Sequence, residues 1–152
     1  MKITSPVFEP EGLIPAKYSC DGSNINPPLQ FSDVPEGAKT LILVMEDPDV
    51  PKNVRPDGMF NHWLVWNIPP QASGIEEGIV PPGVEGKSTQ GSRQYIGPCP
   101  PDREHRYFFK LYALDTELEL DPEVATKEDL YRVMEGHVLA EAQLMGRYDR
   151  DR

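Results

Sequence analysis

The sequence predicts a mostly β protein: a two-sheet antiparallel β-sandwich, one domain over residues 1–152, with a C-terminal α-helix packed on it. Three observations lead there. The 152 residues include 17 prolines, about twice the usual share, scattered between apolar runs and not gathered into a tract. That pattern suits rigid loops joining short strands. The apolar runs themselves are short and rich in β-branched and aromatic residues. Helical spacing shows only near the end, so strands come first and one helix last.

Taken in order, residues 3–20 read as an irregular edge strand, broken by Pro6, Pro10, Gly12 and Pro15. Asp21 to Pro28 is loop, made of turn residues without periodicity. A short strand begins at Leu29–Phe31 and V-P-E-G (34–37) turns it. Thr40–Glu46 is apolar on both faces, as a central sandwich strand requires. His62–Ile68 is a second β run, stopped by Pro69-Pro70, and alternation puts Trp63 and Trp66 on opposite faces of it. Residues 74–91 are loop with a short strand at Ile79. His105–Leu114 is the clearest strand, with His105, Tyr107, Phe109 and Leu111 on one face. Thr126 caps the helix, with Asp129 three residues on. Leu130, Val133, Met134, His137, Val138 and Ala142 then recur at helical spacing toward Met145-Gly146, which places His137 on the core-facing stripe.

Charge narrows the function. A formal net charge of −10 repels nucleic acid and anionic membrane surfaces. An anionic ligand therefore needs a local positive spot, and Gly86–Ala113 carries a net +3 from Lys87, Arg93, Arg103, Arg106 and Lys110 against Asp102 and Glu104. The N-terminus has no apolar signal core, and no run approaches the roughly 18 apolar residues of a membrane span. A cytoplasmic protein without membrane insertion follows, with Cys20 and Cys99 expected reduced. A Cys20–Cys99 disulfide stays open should their two turn-rich loops meet.

The polar candidates converge through connectivity. One strand ends at Asp47, and an antiparallel neighbour would start at His62 on the same rim. If the strand opening at His105 runs like that of His62, all three groups share one end of the sheet. The loop G-P-C-P-P (97–101) would overhang it. Imidazolium donors, the Tyr107 hydroxyl and backbone N–H groups suit an oxyanion such as phosphate, with Asp47 either fixing a histidine tautomer or accepting from a cationic head group. Tyr95, beside that loop, reads as pocket wall or as plain packing. Asp49 reads as a structural turn residue. A metal is not expected, since no Cys-x-x-Cys or His-Glu-x-x-His spacing occurs, and no cofactor is implied. A hydrolase lacks a presented nucleophile, for there is no Gly-x-Ser-x-Gly and Cys99 is flanked by prolines. The residues thus point to a binding protein before an enzyme, with a hydrolase built on the His/Asp cluster as the alternative.

These stretches also resemble a known family. D-P-D-V-P (47–51), H-W-L-V-W-N-I-P (62–69), G-P-C-P-P (97–101) and H-R-Y (105–107) are similar to motifs of the phosphatidylethanolamine-binding protein family, in its bacterial and archaeal Raf-kinase-inhibitor-like branch. I-P-A-K-Y-S-C-D-G (14–22), N-P-P-L (26–29) and G-H-V-L-A-E-A (136–142) support the likeness, in family order over nearly the whole chain. The resemblance implies a β-sandwich with an anion pocket lined by Asp47, His62, Gly97, His105 and Tyr107, edged by Pro101 and the neighbourhood of Tyr95. It implies a phosphorylated or carboxylated ligand, such as phosphate, acetate or a phospholipid head group, no catalysis, and a homodimer. It further implies, as an alternative, an inhibitor of a serine protease or kinase acting through protein contact. The segment Asp102-Arg103-Glu104 departs from the family, being shorter, charged and free of glycine. It predicts an altered pocket rim with two acids near the anion site.

Overall fold

Strand β3 (Thr40–Asp47) has every residue buried, because both of its faces are covered. A computed structural model describes all 152 residues and shows how. β3 pairs antiparallel with β4 (Phe60–Ile68) on one side and with β7 (His105–Leu114) on the other. Outside these lie β6 (Val84–Glu85) beside β4 and β8 (Val138–Tyr148) beside β7, giving a five-stranded sheet ordered β6-β4-β3-β7-β8. A smaller sheet, β1-β2-β5, is formed by Lys2–Thr4, Leu29–Ser32 and Gly74–Ile75. All strand pairs are antiparallel.

Two apolar clusters hold the layers. Between the sheets, Leu41, Leu43, Met45, Trp63, Val65, Tyr107, Phe109 and Leu111 pack against Ile3, Leu29, Phe31 and Ile75. On the far face of the large sheet, Ile42, Val44, Leu64 and Trp66 meet Leu130 and Met134 of α1 (Lys127–Met134). Trp63 and Trp66 therefore do serve opposite faces. The helix is tied down at its first residue: Glu46 in β3 accepts from Lys127 at 2.7 Å and from Lys110 at 2.5 Å. Burial pushes the Glu46 carboxyl up, but these two ammonium groups hold it below its ordinary value. The capping box forms as read, Thr126 Oγ1 accepting from the Asp129 amide and Asp129 Oδ2 from the Thr126 amide.

The structure corrects the end of the chain. The helix stops at Met134, Gly136 turns it at φ 82°, and Val138–Tyr148 is a strand. Leu139–Met145 are good helix formers, but the outer edge of β7 needs a partner, and β8 supplies one from His105↔Tyr148 to Leu114↔Val138. His137 consequently leaves the core stripe: it is exposed, with Nδ1 at 2.8 Å from Asp115 Oδ1. Ile79 is likewise not in a strand but exposed in a turn between β5 and β6. At the N-terminus, β1 is only Lys2–Thr4, and the remainder is loop with one 3₁₀ turn at Ala16–Tyr18.

The cysteines are also corrected. Cys20 and Cys99 form a disulfide, with Cα atoms 5.5 Å apart. Their loops meet through several bonds: the Cys20 amide donates to Pro98 O at 3.0 Å and the Gly97 amide to Asn24 Oδ1 at 2.8 Å. No helix is long and apolar enough to cross a membrane.

Candidate ligand-binding site

Because β4 and β7 both run antiparallel to β3, the end of β3 and the starts of β4 and β7 fall at one rim. A cavity of about 310 Å³ opens there. All six residues read from the sequence, Asp47, His62, Gly97, Pro101, His105 and Tyr107, line it. Apolar side chains from Val50, Val54, Phe60 and Ile96 complete much of the wall.

Each polar group is held from below. Asp47, buried at the end of β3, places Oδ2 2.6 Å from His105 Nδ1. Its Oδ1 accepts from the Asp49 amide at 2.8 Å, which closes the turn of D-P-D-V-P. Asp49 in turn accepts from the Arg106 amide, Nε and Nη2, clamping that loop to the start of β7. This is the structural role read for it. Asp47 thus orients His105, as expected. Burial raises the Asp47 carboxyl above its ordinary value despite the opposing pull of His105 and the Asp49 amide.

His62 is neutral at neutral pH. Burial, aided by the charge of His105, pulls its imidazole from 6.5 down to about 4, against the opposite pull of the Ile96 carbonyl. A carbonyl only accepts, so the contact of 2.6 Å means that Nδ1–H donates to Ile96 O. Nε2 is then a lone pair without a protein partner. The expectation of two imidazolium donors is corrected: His62 offers an acceptor. Tyr107 lies between the two imidazoles, its ring edge-on to His62 at 5.3 Å and stacked with His105 at 6.4 Å. Its hydroxyl is buried and has no partner in the protein. Burial first, then the Asp47 charge, raises this phenol, so it keeps its proton and can donate.

A consequence for stability follows from His62. The unfolded ring takes its proton near 6.5 and the folded one near 4, so the unfolded state binds more protons between those values. Stability is fully present above pH 6.5 and lost as pH falls toward 4, by about 3 kcal/mol in all. Urea titrations at pH 7, 5.5 and 4.5 will show that decline, and His62→Gln will flatten it. A slope unchanged in the variant would remove His62 as its source.

Several expectations fall away at this site. The Gly97 amide is spent on Asn24, so it is not a donor to the cavity. Glycine is needed there because a Cβ would lie 2.2 Å from Tyr18 O. Tyr95 is core packing, buried, edge-on to Trp63 and donating to Tyr18 O at 2.7 Å. The basic segment supplies no cation to the lining. Lys87 and Arg93 pair with Glu123, Arg103 with Asp102, Arg106 with Asp49 and Lys110 with Glu46. No group of three or more His, Cys, Asp or Glu side chains is arranged to hold a metal ion. His105 has a carboxylate on each nitrogen and His62 has one nitrogen free.

Asp102 was not singled out from the sequence, although the charged linker drew notice. Its Oδ1 sits 2.7 Å from His105 Nε2. Two carboxylates, one at each ring nitrogen, are satisfied together only by a ring carrying both protons. The other linker acid, Glu104, turns away to Arg147 at 2.9 Å. Phe60 was also missed, though alternation along β4 puts it on the face of His62, and their rings lie 4.6 Å apart.

Fold and site together define a β-sandwich protein with a small strand-end cavity built from buried carboxylate, imidazole and phenol groups. The chain belongs to the phosphatidylethanolamine-binding protein family, whose model matches residues 4–149. A UPF0098 protein of Chlamydia trachomatis is 51% identical over 151 residues, covering 99% of this chain and 100% of that one. One from Methanothermobacter thermautotrophicus is 48% identical over 156 residues, covering 99% of each. Among solved structures, a putative phosphatidylethanolamine-binding protein homologue from Chlamydia trachomatis superposes with a TM-score of 0.95 at 50% identity, covering 99% of this chain and 97% of its own. Escherichia coli YbcL, described as a new member of the mammalian family, gives 0.87 at 27% identity, covering 99% and 98%.

Proposed function

We propose that the protein is a non-enzymatic binding protein for a small acid, a phosphate or carboxylate group, held in the cavity at the rim of β3, β4 and β7. The observation that carries this reading is the buried, unpartnered hydroxyl of Tyr107. A buried donor without an acceptor is costly, and a ligand oxygen would satisfy it. His62 Nε2 offers a lone pair in the same cavity. An oxyanion that keeps one proton, such as a singly protonated phosphate monoester, fits both: it accepts from Tyr107 and donates to His62. The apolar wall suits an uncharged part of the same molecule. At about 310 Å³ the cavity is at the small end of ligand pockets and takes a head group without acyl chains. This accords with the phosphatidylethanolamine in the family's description.

The hydroxyl and thiol nucleophiles of the common hydrolases, serine, threonine and free cysteine, do not face this cavity. The lining contains no serine or threonine, and Cys99 is in the disulfide.

Inorganic phosphate and phosphoethanolamine, titrated while the histidine ring signals are followed by NMR, test the reading. The His62 ring signals are expected to respond at saturable concentrations. Tyr107→Phe separates ligand from fold. It will weaken phosphate binding about tenfold while leaving stability unchanged or raised by about 1 kcal/mol, because the lost hydroxyl makes no hydrogen bond to the protein. Silence at both His62 and His105 would overturn the proposal.

A further inference from the structure

We infer that Asp102 is a built-in competitor for the ligand of this cavity: its carboxylate holds the position on His105 Nε2 that an incoming oxyanion would take, and so governs how tightly an anion binds. The inference rests on the cavity being a site for a small acid.

The two carboxylates on His105 are not equivalent. Asp47, at Nδ1, has a side chain only 5% exposed and is pinned a second time by the Asp49 amide. Asp102, at Nε2, has a side chain 40% exposed. Its other oxygen is 3.7 Å from Arg103 Nε, in a pair that is open to water and holds little. Asp102 also lies outside regular structure, between Pro101 on the cavity wall and the first residue of β7. The inner nitrogen of His105 is therefore locked, and the outer one is closed by a carboxylate that can swing away.

That matters because no lysine or arginine lines the cavity. His105 is the one cationic donor an anion could reach, once both of its nitrogens carry protons. With Asp102 in place, an anion approaching Nε2 would meet two carboxylates and a donor already used. Like charges at that range repel. A bound anion must either displace Asp102 or remain at Tyr107 and His62. The chain thus carries on its own linker the chemical group that its ligand resembles. The sequence places two acids there, and geometry separates them: Asp102 on the ring, Glu104 on Arg147.

Inorganic phosphate is the probe, at pH 7 and constant ionic strength, against the full chain and its Asp102→Asn and Asp102→Ala variants. Asp102→Asn removes the charge but keeps an oxygen to accept from Nε2–H, so the ring stays partnered and the fold is preserved. Phosphate affinity is expected to rise about tenfold in Asp102→Asn and further in Asp102→Ala. The His105 ring signals should move on titration more in the variants than in the wild type. If the wild type binds phosphate and both variants bind it equally or more weakly, the competitor role is wrong and the site reading stands. If none of the three binds, with His62 and His105 silent throughout, both are wrong.

Discussion

Replacing Cys20 and Cys99 together by serine will destabilise the protein by about 4 kcal/mol. The bridge closes a sequence separation of 79 residues, and a loop that long gives the unfolded chain much freedom to lose. Both cysteines are exposed, so serine introduces no buried polar group. The fold should survive, since the layers rest on the two apolar clusters and not on the bridge. The wall of the cavity is held by other bonds as well: Gly97 to Asn24, Cys20 N–H to Pro98, and Arg152 donating to Pro100 O and Pro101 O at 3.0 Å each. Ligand binding is therefore expected to weaken modestly while the urea midpoint falls far. Reduction of the wild type should match the variant. A midpoint that moves little under both treatments would show the bridge to be incidental to stability.

What could be read in advance depended on whether the cause was local. β7 was legible because alternation is local: His105, Tyr107, Phe109 and Leu111 face inward in register, as a strand must place them. The meeting of Asp47, His62 and His105 was legible too, since antiparallel neighbours of one strand begin where it ends. β8 was not, because Leu139–Met145 favour helix locally and only the unpaired edge of β7, distant in sequence, selects the strand. The electrostatics of the site were hidden for the same reason. Five cations in the middle segment looked available, but the acid partners of all except Arg103 lie on distant parts of the chain, Glu46 for Lys110 and Asp49 for Arg106 among them. The protonation of His62 is set by burial and by a carbonyl 34 residues away. Connectivity identified the residues of the cavity better than it identified their charges.

Asp47→Ala will cost about 3 kcal/mol of stability and disturb both walls of the cavity at once. Asp47 is 3% exposed and His105 fully buried, so removing the carboxylate leaves Nδ1 with no acceptor and no access to water. The Asp49 amide loses its acceptor as well, and with it goes the turn that aims Asp49 at Arg106. Against this, burial already raises the Asp47 carboxyl, so its charge is itself held at some cost, and deleting it recovers part of that. The lower end of the range for a broken buried pair is therefore the expected figure. A carboxyl raised in the folded state adds stability as pH falls through that value, opposing the His62 decline, and Asp47→Ala removes the opposition. Asp47→Asn keeps one acceptor oxygen for two donors and should fall between the wild type and the alanine variant. Asp49→Ala, whose partner Arg106 is half exposed, should cost about 1 kcal/mol or less. Urea midpoints at pH 7 and 5 rank the three. An Asp47→Ala protein no less stable than Asp49→Ala would mean that His105 is held by Asp102 alone, and that the buried carboxylate is not the anchor of the site.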